Sequence, residues 1–464
     1  VEIPHHIHIV GIGGAGMSAI ARVLRDRGHA VRGSDRAEGP MVQSLRAEGI
    51  PVAVGHRAEN VAGAELVLAS SAVPEANVEL AAAREAGIPV MRRPDFLPAL
   101  TEGYDLIAIA GAHGKTTVTG MVAFILREAG LDPSFIVGGV PLSLGTNGHA
   151  GSGPLFVIEA DEYRNTFLAL KPKIAVITNI EYDHPDAFPS PRFLRLAFGD
   201  FVDGIVEGGT LVACNDDAVA HAVAASFHAN GGNLVLYGLE AGKGVAWRAE
   251  AIAPNAQGGV DFVALHRGEV RGCVRLRLPG RHNALNALAA LAVAEAVGVD
   301  FEQARAALER FEGTGRRFEV LGEAGGITIV DDYAHHPTQI RAVLEAAKGR
   351  YPRSRRIVVW QPHTFSRIRA LWDDFLTAFE GADEVIVLPI YAAREADDGT
   401  LDQRMIAEAI EHPRVRAVDS LEEAAEALAE QVQPGDVVLL LGAGTEYRVG
   451  QALLERLAGG EAQP

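Results

Sequence analysis

Apolar residues fall in short runs, each followed by a stretch where they recur every three or four positions. Ile7 to Ile12 precedes a helical pattern over Ala15 to Arg27. A second run ends at Asp35, and Glu65 to Ala69, Val78 to Ala86 and Ile88 to Met91 continue the alternation. This strand-helix punctuation predicts a parallel sheet wound with helices. The charged, proline-containing Arg92-Arg93-Pro94-Asp95 interrupts it and predicts a joint, after which a strand over Leu106 to Ala110 opens a second unit. There Val118, Met121, Val122, Ile125 and Leu126 share one helical face, and strands are expected to end at Glu159 and Asn179. Short β-type runs between glycine-rich turns over 233–279 predict an antiparallel meander, followed by a helix from His282 to Val297. Gly313-Thr314-Gly315 marks the next joint. Strands at 327–331, 356–360, 384–388, 414–418 and 436–441 then alternate with helices. The pattern predicts three α/β domains, over 1–94, 95–312 and 313–464.

Composition agrees with that count. At roughly 150 residues per domain, 464 residues suit three domains. With 48% apolar and 22% charged residues the chain is an ordinary folded one, not a disordered or fibrous one. Its net charge of −18 repels polyanions, so a nucleic-acid partner is disfavoured and any nucleotide needs a local cationic site. Cys214 and Cys273 are the only cysteines and have no metal or redox spacing, which suits a reducing cytoplasm. The longest uncharged stretch, Pro133 to Ile158, is broken by Gly, Pro, Ser, Asn and His, so no membrane span is expected. Only five basic residues are Lys (115, 171, 173, 243 and 348), which draws attention to each.

Lys115 stands in Gly111-Ala112-His113-Gly114-Lys115-Thr116-Thr117, between a strand and an amphipathic helix. Backbone N–H groups there can wrap phosphate, with Lys115 on the β/γ-phosphates and the Thr116 hydroxyl on Mg²⁺. The general P-loop pattern wants Gly where this chain has Ile109. Glu159, ending an apolar run, would place a hard carboxylate at a neighbouring strand edge, where it can complete a Mg²⁺ shell. Thr178 to His184 has the same topology. Three such edges side by side predict a phosphate and metal crevice. At the N-terminus Gly11, Gly13 and Gly16 fit GxGxxG, with Asp35 beyond. That fingerprint suits NAD, or any diphosphate approaching a helix N-terminus. Val330 to Pro337 and Gln361 to Arg367 gather carboxylates, a phenol and imidazoles at two later strand ends, which reads as a substrate site.

The ordered set GAHGKTT, EADEY, TNIEYDH, GRHNALNA, GTGRRFE, DDYAHHP and QPHTFSR resembles the Mur ligases, ATP-dependent amide-forming enzymes of peptidoglycan precursor synthesis. With HIHIVGIGGAGMSAIA, the GSD at 33–35 and the SSAV at 70–73, the resemblance spans nearly the whole chain. It is strongest to the branch that joins L-alanine to UDP-N-acetylmuramate. It implies a Rossmann-like UDP-sugar domain, a central P-loop ATPase domain and a C-terminal Rossmann-like domain presenting the amino acid. It further implies cofactors ATP and Mg²⁺, a cytoplasmic location, and a monomer or homodimer. Lys115 would contact the β/γ-phosphates, Thr116 and Glu159 would serve Mg²⁺, and His184 would hold a second Mg²⁺. Asn283 and Asn286 match the adenine positions, Asp332 the ribose position and Arg317 a position near the phosphates. The Gly13-Gly14-Ala15-Gly16 turn, Asp35, Ser70 and Ser71 would hold the UDP end, and His335, Tyr333, His363 and Arg367 would line the L-alanine site.

Three departures from the family stand out. Pro185 to Gly204 has no Lys where several relatives carry a carbamylated one, Thr364 stands where several have Arg, and Gly442 to Glu446 replaces a GAGD ending. Three alternatives carry their own expectations. A ligase adding a preformed murein tripeptide would share the first two domains. An NAD-dependent oxidoreductase would leave the 111–117 loop idle. A catalytically silent nucleotide-binding partner would lose nothing with Lys115.

Overall fold

Three sheets organise the chain, a computed structural model that describes residues 2–242 and 244–460. Lys243, Val1 and residues 461–464 lie outside the described residues. The first sheet is all parallel, in the order Val52–Val54, Ala30–Asp35, His6–Val10, Leu66–Ala69, Val90–Arg92. Its helix Ala15–Asp26 buries Met17, Ile20, Val23 and Leu24 at the spacing read from the sequence.

The second sheet has ten strands. Its centre runs Thr210–Cys214, Ile174–Ile177, Asp105–Ala110, Leu155–Glu159, Ser134–Ile136, all parallel. Strands buried on both faces read as unbroken apolar runs, and Leu106 to Ala110 is buried throughout. The meander begins later than expected. Asn233–Gly238 pairs in parallel with both Thr210–Cys214 and Val245–Pro254, and within this stretch the antiparallel pairs are those of Val260–His266 with Val245–Pro254 and with Glu269–Arg275. An apolar run does not reveal its direction.

The third sheet follows the order Glu319–Ala324, Ile327–Asp332, Val437–Leu441, Arg356–Trp360, Glu384–Val387, Val415–Ala417. Its first strand is antiparallel and was not foreseen, because its half-exposed GEA segment carries no apolar alternation.

At the expected joint, the run Arg92 to Asp95 ends one strand and opens the helix Arg93–Thr101, with Pro94 in its first turn. Phe96, Leu97 and Leu100 of that helix join one apolar core with Ile9 of the first sheet and Ala108 of the second. The first two units also meet closely elsewhere. Arg22, almost wholly buried, bonds both Glu48 and Asn147, and Asn147 returns a bond to the Ala15 carbonyl at 2.9 Å. A Cβ on Gly148 would strike the Ala19 backbone, so the two segments touch there without side chains between.

Candidate active site

The order of the central sheet sets the ends of Ile174–Ile177, Asp105–Ala110 and Leu155–Glu159 side by side, as the three-edge expectation required. From the middle strand the chain turns through Gly111 (φ 136°) and Gly114 (φ 83°) into the helix Lys115–Glu128. A Cβ at Gly111 would collide with the Thr178 hydroxyl, and one at Gly114 would lie 2.6 Å from Asn286 Oδ1. Glycine is therefore demanded by both sign and space.

Lys115 Nζ donates to the Gly111 carbonyl and to both carboxylate oxygens of Glu162, at 3.0 and 2.8 Å. Burial lowers the Lys115 pKa, but the charges of Glu162, Asp161 and Glu159 outweigh it and hold the ammonium protonated above its usual range. Glu162, in the EADEY motif, had no role assignable from the sequence. Beside it the Thr116 hydroxyl donates to Glu159 Oε1 at 3.1 Å, and the Gly138 N–H to Glu159 Oε2 at 2.6 Å. A Cβ on Gly138 would fall 2.5 Å from that carboxylate, so the chain makes room there for a hydroxyl and a carboxylate to converge. Such hard oxygen donors fit Mg²⁺.

Two cavities meet at this loop. The larger, about 650 Å³, is lined from all three units: Gly13, Ala15 and Gly16 from the first, Ala112, Lys115, Thr116, Glu159 and His184 from the second, and Arg317, Tyr333, His335, His363 and Arg367 from the third. The smaller, about 260 Å³, holds His113, Thr117, Asn283, Asn286 and Asp332. Gly114, Thr116, Arg317 and Gln339 border both. The structure thus sorts the candidate residues into a smaller recess and a larger cavity, with the 111–117 loop between them.

Some candidates lie elsewhere. Asp35 Oδ2 accepts the Gly13 N–H at 2.8 Å, so it braces the turn from behind. Ser70 sits under Gly11, whose Cβ would come within 3.1 Å of it, and neither Ser70, Ser71, Gly14 nor Gly111 lines either cavity. Asp332 is buried with its Oδ2 taken by the Phe318 N–H at 2.8 Å, and burial raises its pKa. Asn286 donates to Asn283 Oδ1 at 3.1 Å.

At the far side of the larger cavity Asp183, also unforeseen, accepts the Arg367 Nε–H at 2.7 Å and lies 3.7 Å from His335 Nε2. Burial would raise this carboxyl, but Arg367 and then His184 hold it well below the usual range. Burial first, and Arg367 next, push His335 down to about 3. Burial, with His335 and Arg367, pushes His363 down to about 2. Both rings are neutral at physiological pH. His335 Nδ1 faces the Tyr333 carbonyl at 2.8 Å, which only accepts, so its Nε2 is the bare nitrogen. Arg367 only donates, at 2.8 Å to His363 Nδ1, so His363 carries its proton on Nε2.

Both adjacent arginines lie over the Tyr333 ring, at 5.0 and 5.2 Å, but Arg316 is also spent on Asp331 and Glu446, whereas Arg317 borders both cavities. Glu446 also accepts the Gly444 N–H at 3.0 Å, which gives the unusual GAGTE segment a local function as a braced turn. Arg93, with its Nε unpartnered, lies against Gly16, where a Cβ would stand 2.9 Å from the guanidinium carbon.

The description "Mur ligase family, catalytic domain" matches residues 6–105, "Mur ligase middle domain" 109–294, and "Mur ligase, glutamate ligase domain" 316–444. A UDP-N-acetylmuramate--L-alanine ligase of Caldanaerobacter subterraneus subsp. tengcongensis is 41% identical over 452 residues, 97% of each chain. One of Roseiflexus sp. is 42% identical over 97% of this chain and 99% of its own. Among solved structures, the UDP-N-acetylmuramate-alanine ligase of Thermotoga maritima superposes with a TM-score of 0.82 at 30% identity, covering 98% of this chain and 99% of that one. A murein peptide ligase of Psychrobacter arcticus gives 0.74 at 27%, with the same coverage. The three family matches along one chain, and relatives this similar over nearly its full length, show that it belongs to the Mur ligase family.

Proposed function

We propose that the chain joins L-alanine to the lactyl carboxylate of UDP-N-acetylmuramate, with ATP giving ADP and phosphate. The observation that carries this is the larger cavity, in which a glycine turn, a phosphate loop and an imidazole-guanidinium cluster from three separate units face one space. Residues 1–94 would take the UDP-sugar, 95–312 the ATP and 313–464 the amino acid, in the cytoplasm where ATP is made.

The carboxylate oxygen attacks the γ-phosphorus and ADP departs, leaving an acyl phosphate. The amine nitrogen then attacks the acyl carbon and phosphate leaves. The first step brings a carboxylate onto a polyanion and the second builds an oxyanion and releases phosphate, so charge stabilisation dominates the barrier. Lys115 supplies a fixed cation once phosphate oxygens replace the Gly111 carbonyl and Glu162 as its partners. Thr116, Glu159 and His184 would hold Mg²⁺, which offsets phosphate charge. Asn283, Asn286 and Asp332 line the recess suited to adenosine, and Arg317 spans from it to the phosphates. His335 offers its bare Nε2 to the amino group, while His363 Nε2–H and Arg367 suit the amino-acid carboxylate. Asp35, Ser70 and Ser71 act by shaping the turn that Gly13 to Gly16 presents to the diphosphate.

The test is ADP formation dependent on UDP-N-acetylmuramate, offered L-alanine, glycine, L-serine and a murein tripeptide in turn. Release with L-alanine is expected, and its absence would sink the proposal. The likeness to the Psychrobacter murein peptide ligase favours a second reading, a tripeptide ligase, which would respond to the tripeptide alone.

A further inference from the structure

Gln339 borders both cavities, and each end of its amide is committed. Its Oε1 accepts the backbone N–H of His335 at 3.0 Å and of His336 at 3.2 Å. Its Nε2 lies 2.9 Å from His113 Nδ1, in the phosphate loop. A flipped amide would turn its NH₂ toward two donors, so the orientation is forced. Because Nε2 can only donate, His113 Nδ1 is the acceptor, and the ring's other nitrogen carries the proton. That nitrogen donates to Glu181 Oε2 at 2.7 Å, and Glu181 Oε1 accepts the Thr338 hydroxyl at 2.6 Å. The loop is in turn pinned by the His113 N–H to Asn179 Oδ1 at 2.8 Å. A closed circuit therefore runs from the phosphate loop to the turn that aims His335, and among the described residues Gln339 is the one side chain hydrogen-bonded to both.

We propose that Gln339 is a positioning residue that couples the nucleotide site to the amino-acid site: it fixes the His113 tautomer with one end and the His335 turn with the other. Two sites that share a rigid element bias each other's affinity, and the coupling is reciprocal. The inference rests on the ligase function proposed above. The phosphate loop and the His335 turn have no other direct hydrogen bond among the described residues.

The test uses two variants of the full chain, with KM for ATP, L-alanine and UDP-N-acetylmuramate measured separately. Gln339→Met loses both ends, and KM for ATP and for L-alanine should each rise about tenfold, the scale of one to two lost hydrogen bonds, while the UDP-sugar KM stays put. Gln339→Glu keeps the acceptor and loses the donor, so only the ATP KM should rise. An ATP KM in Gln339→Glu equal to that of the parent would overturn the donor role. A uniform rise of all three KM values in Gln339→Met would reduce the residue to generic support. Calorimetry with a non-hydrolysable ATP analogue reads the nucleotide arm without turnover. A parent chain inactive with L-alanine would thus refute the reaction while the circuit is still decided by binding.

Discussion

Arg367 and Asp183, 184 residues apart, form a buried ion pair across two units, Nε to Oδ1 at 2.7 Å. Neither side chain is more than a few per cent exposed, so each charge depends on the other. Asp183→Asn leaves a buried guanidinium without its counter-charge, and removal of one partner from such a pair costs about 3–5 kcal/mol. We expect kcat/KM for L-alanine to fall on the order of 10²-fold or more, with UDP-sugar binding by calorimetry unchanged. Equal loss of both would show general unfolding instead.

Lys115→Ala removes the cation that faces the phosphates. Loss of one such preorganised group typically costs about 10²–10³ in kcat. ADP release under saturating substrates is the measurement, and unchanged release would refute the phosphate-loop assignment. Glu162→Gln should give a smaller defect, seen mainly in KM for ATP, because it loosens the resting ammonium without deleting it.

Gly114→Ala combines a left-handed backbone with a clash against Asn286. We expect a raised KM for ATP and a stability loss of about 1–2 kcal/mol from the backbone alone. Gly28→Ala, at φ +88° in open space, supplies the control: the same backbone cost and no change in ATP affinity.

His335 and His363 are held neutral in the fold, at about 3 and about 2, and titrate near 6.5 when unfolded. Below 6.5 the unfolded chain therefore binds more protons. Their contribution to stability is complete above that pH and is lost as the pH falls toward the folded values. Tm should drop with pH over 6.5 to 4.5, and the double variant His335→Gln, His363→Gln should flatten that slope. Parallel profiles would contradict the assignment.

Strand ends and the phosphate loop were legible because apolar runs and glycines act locally. The smaller cavity is likewise the place where Asn283, Asn286 and Asp332 were expected to converge. Direction was not legible. GxGxxG names Asp35 and its neighbours but not which way they point, and here Asp35 bonds the turn from behind. Asp183, Glu162 and Gln339 sat inside or beside quoted motifs, yet their partners lie on other strands and helices. Gln339 in particular reads as an ordinary first-turn helix residue. Pairing across units leaves no period in the chain, so only the fold could reveal it.

The contact of Gly148 with the Ala19 backbone has a consequence for timing. Backbone pressed on backbone, with Arg22 bonded across it, leaves little room for sliding, so the first two units travel as one block. The third unit meets them through the buried Asp183 to Arg367 pair, the packing of Tyr182, and exposed polar links such as Glu181 to Thr338, which water can replace. The molecule thus has a stiff seam and a wettable one. In the proposed reaction, sugar nucleotide and ATP would keep a fixed separation, and the wettable seam would set when the amino acid enters and the product escapes.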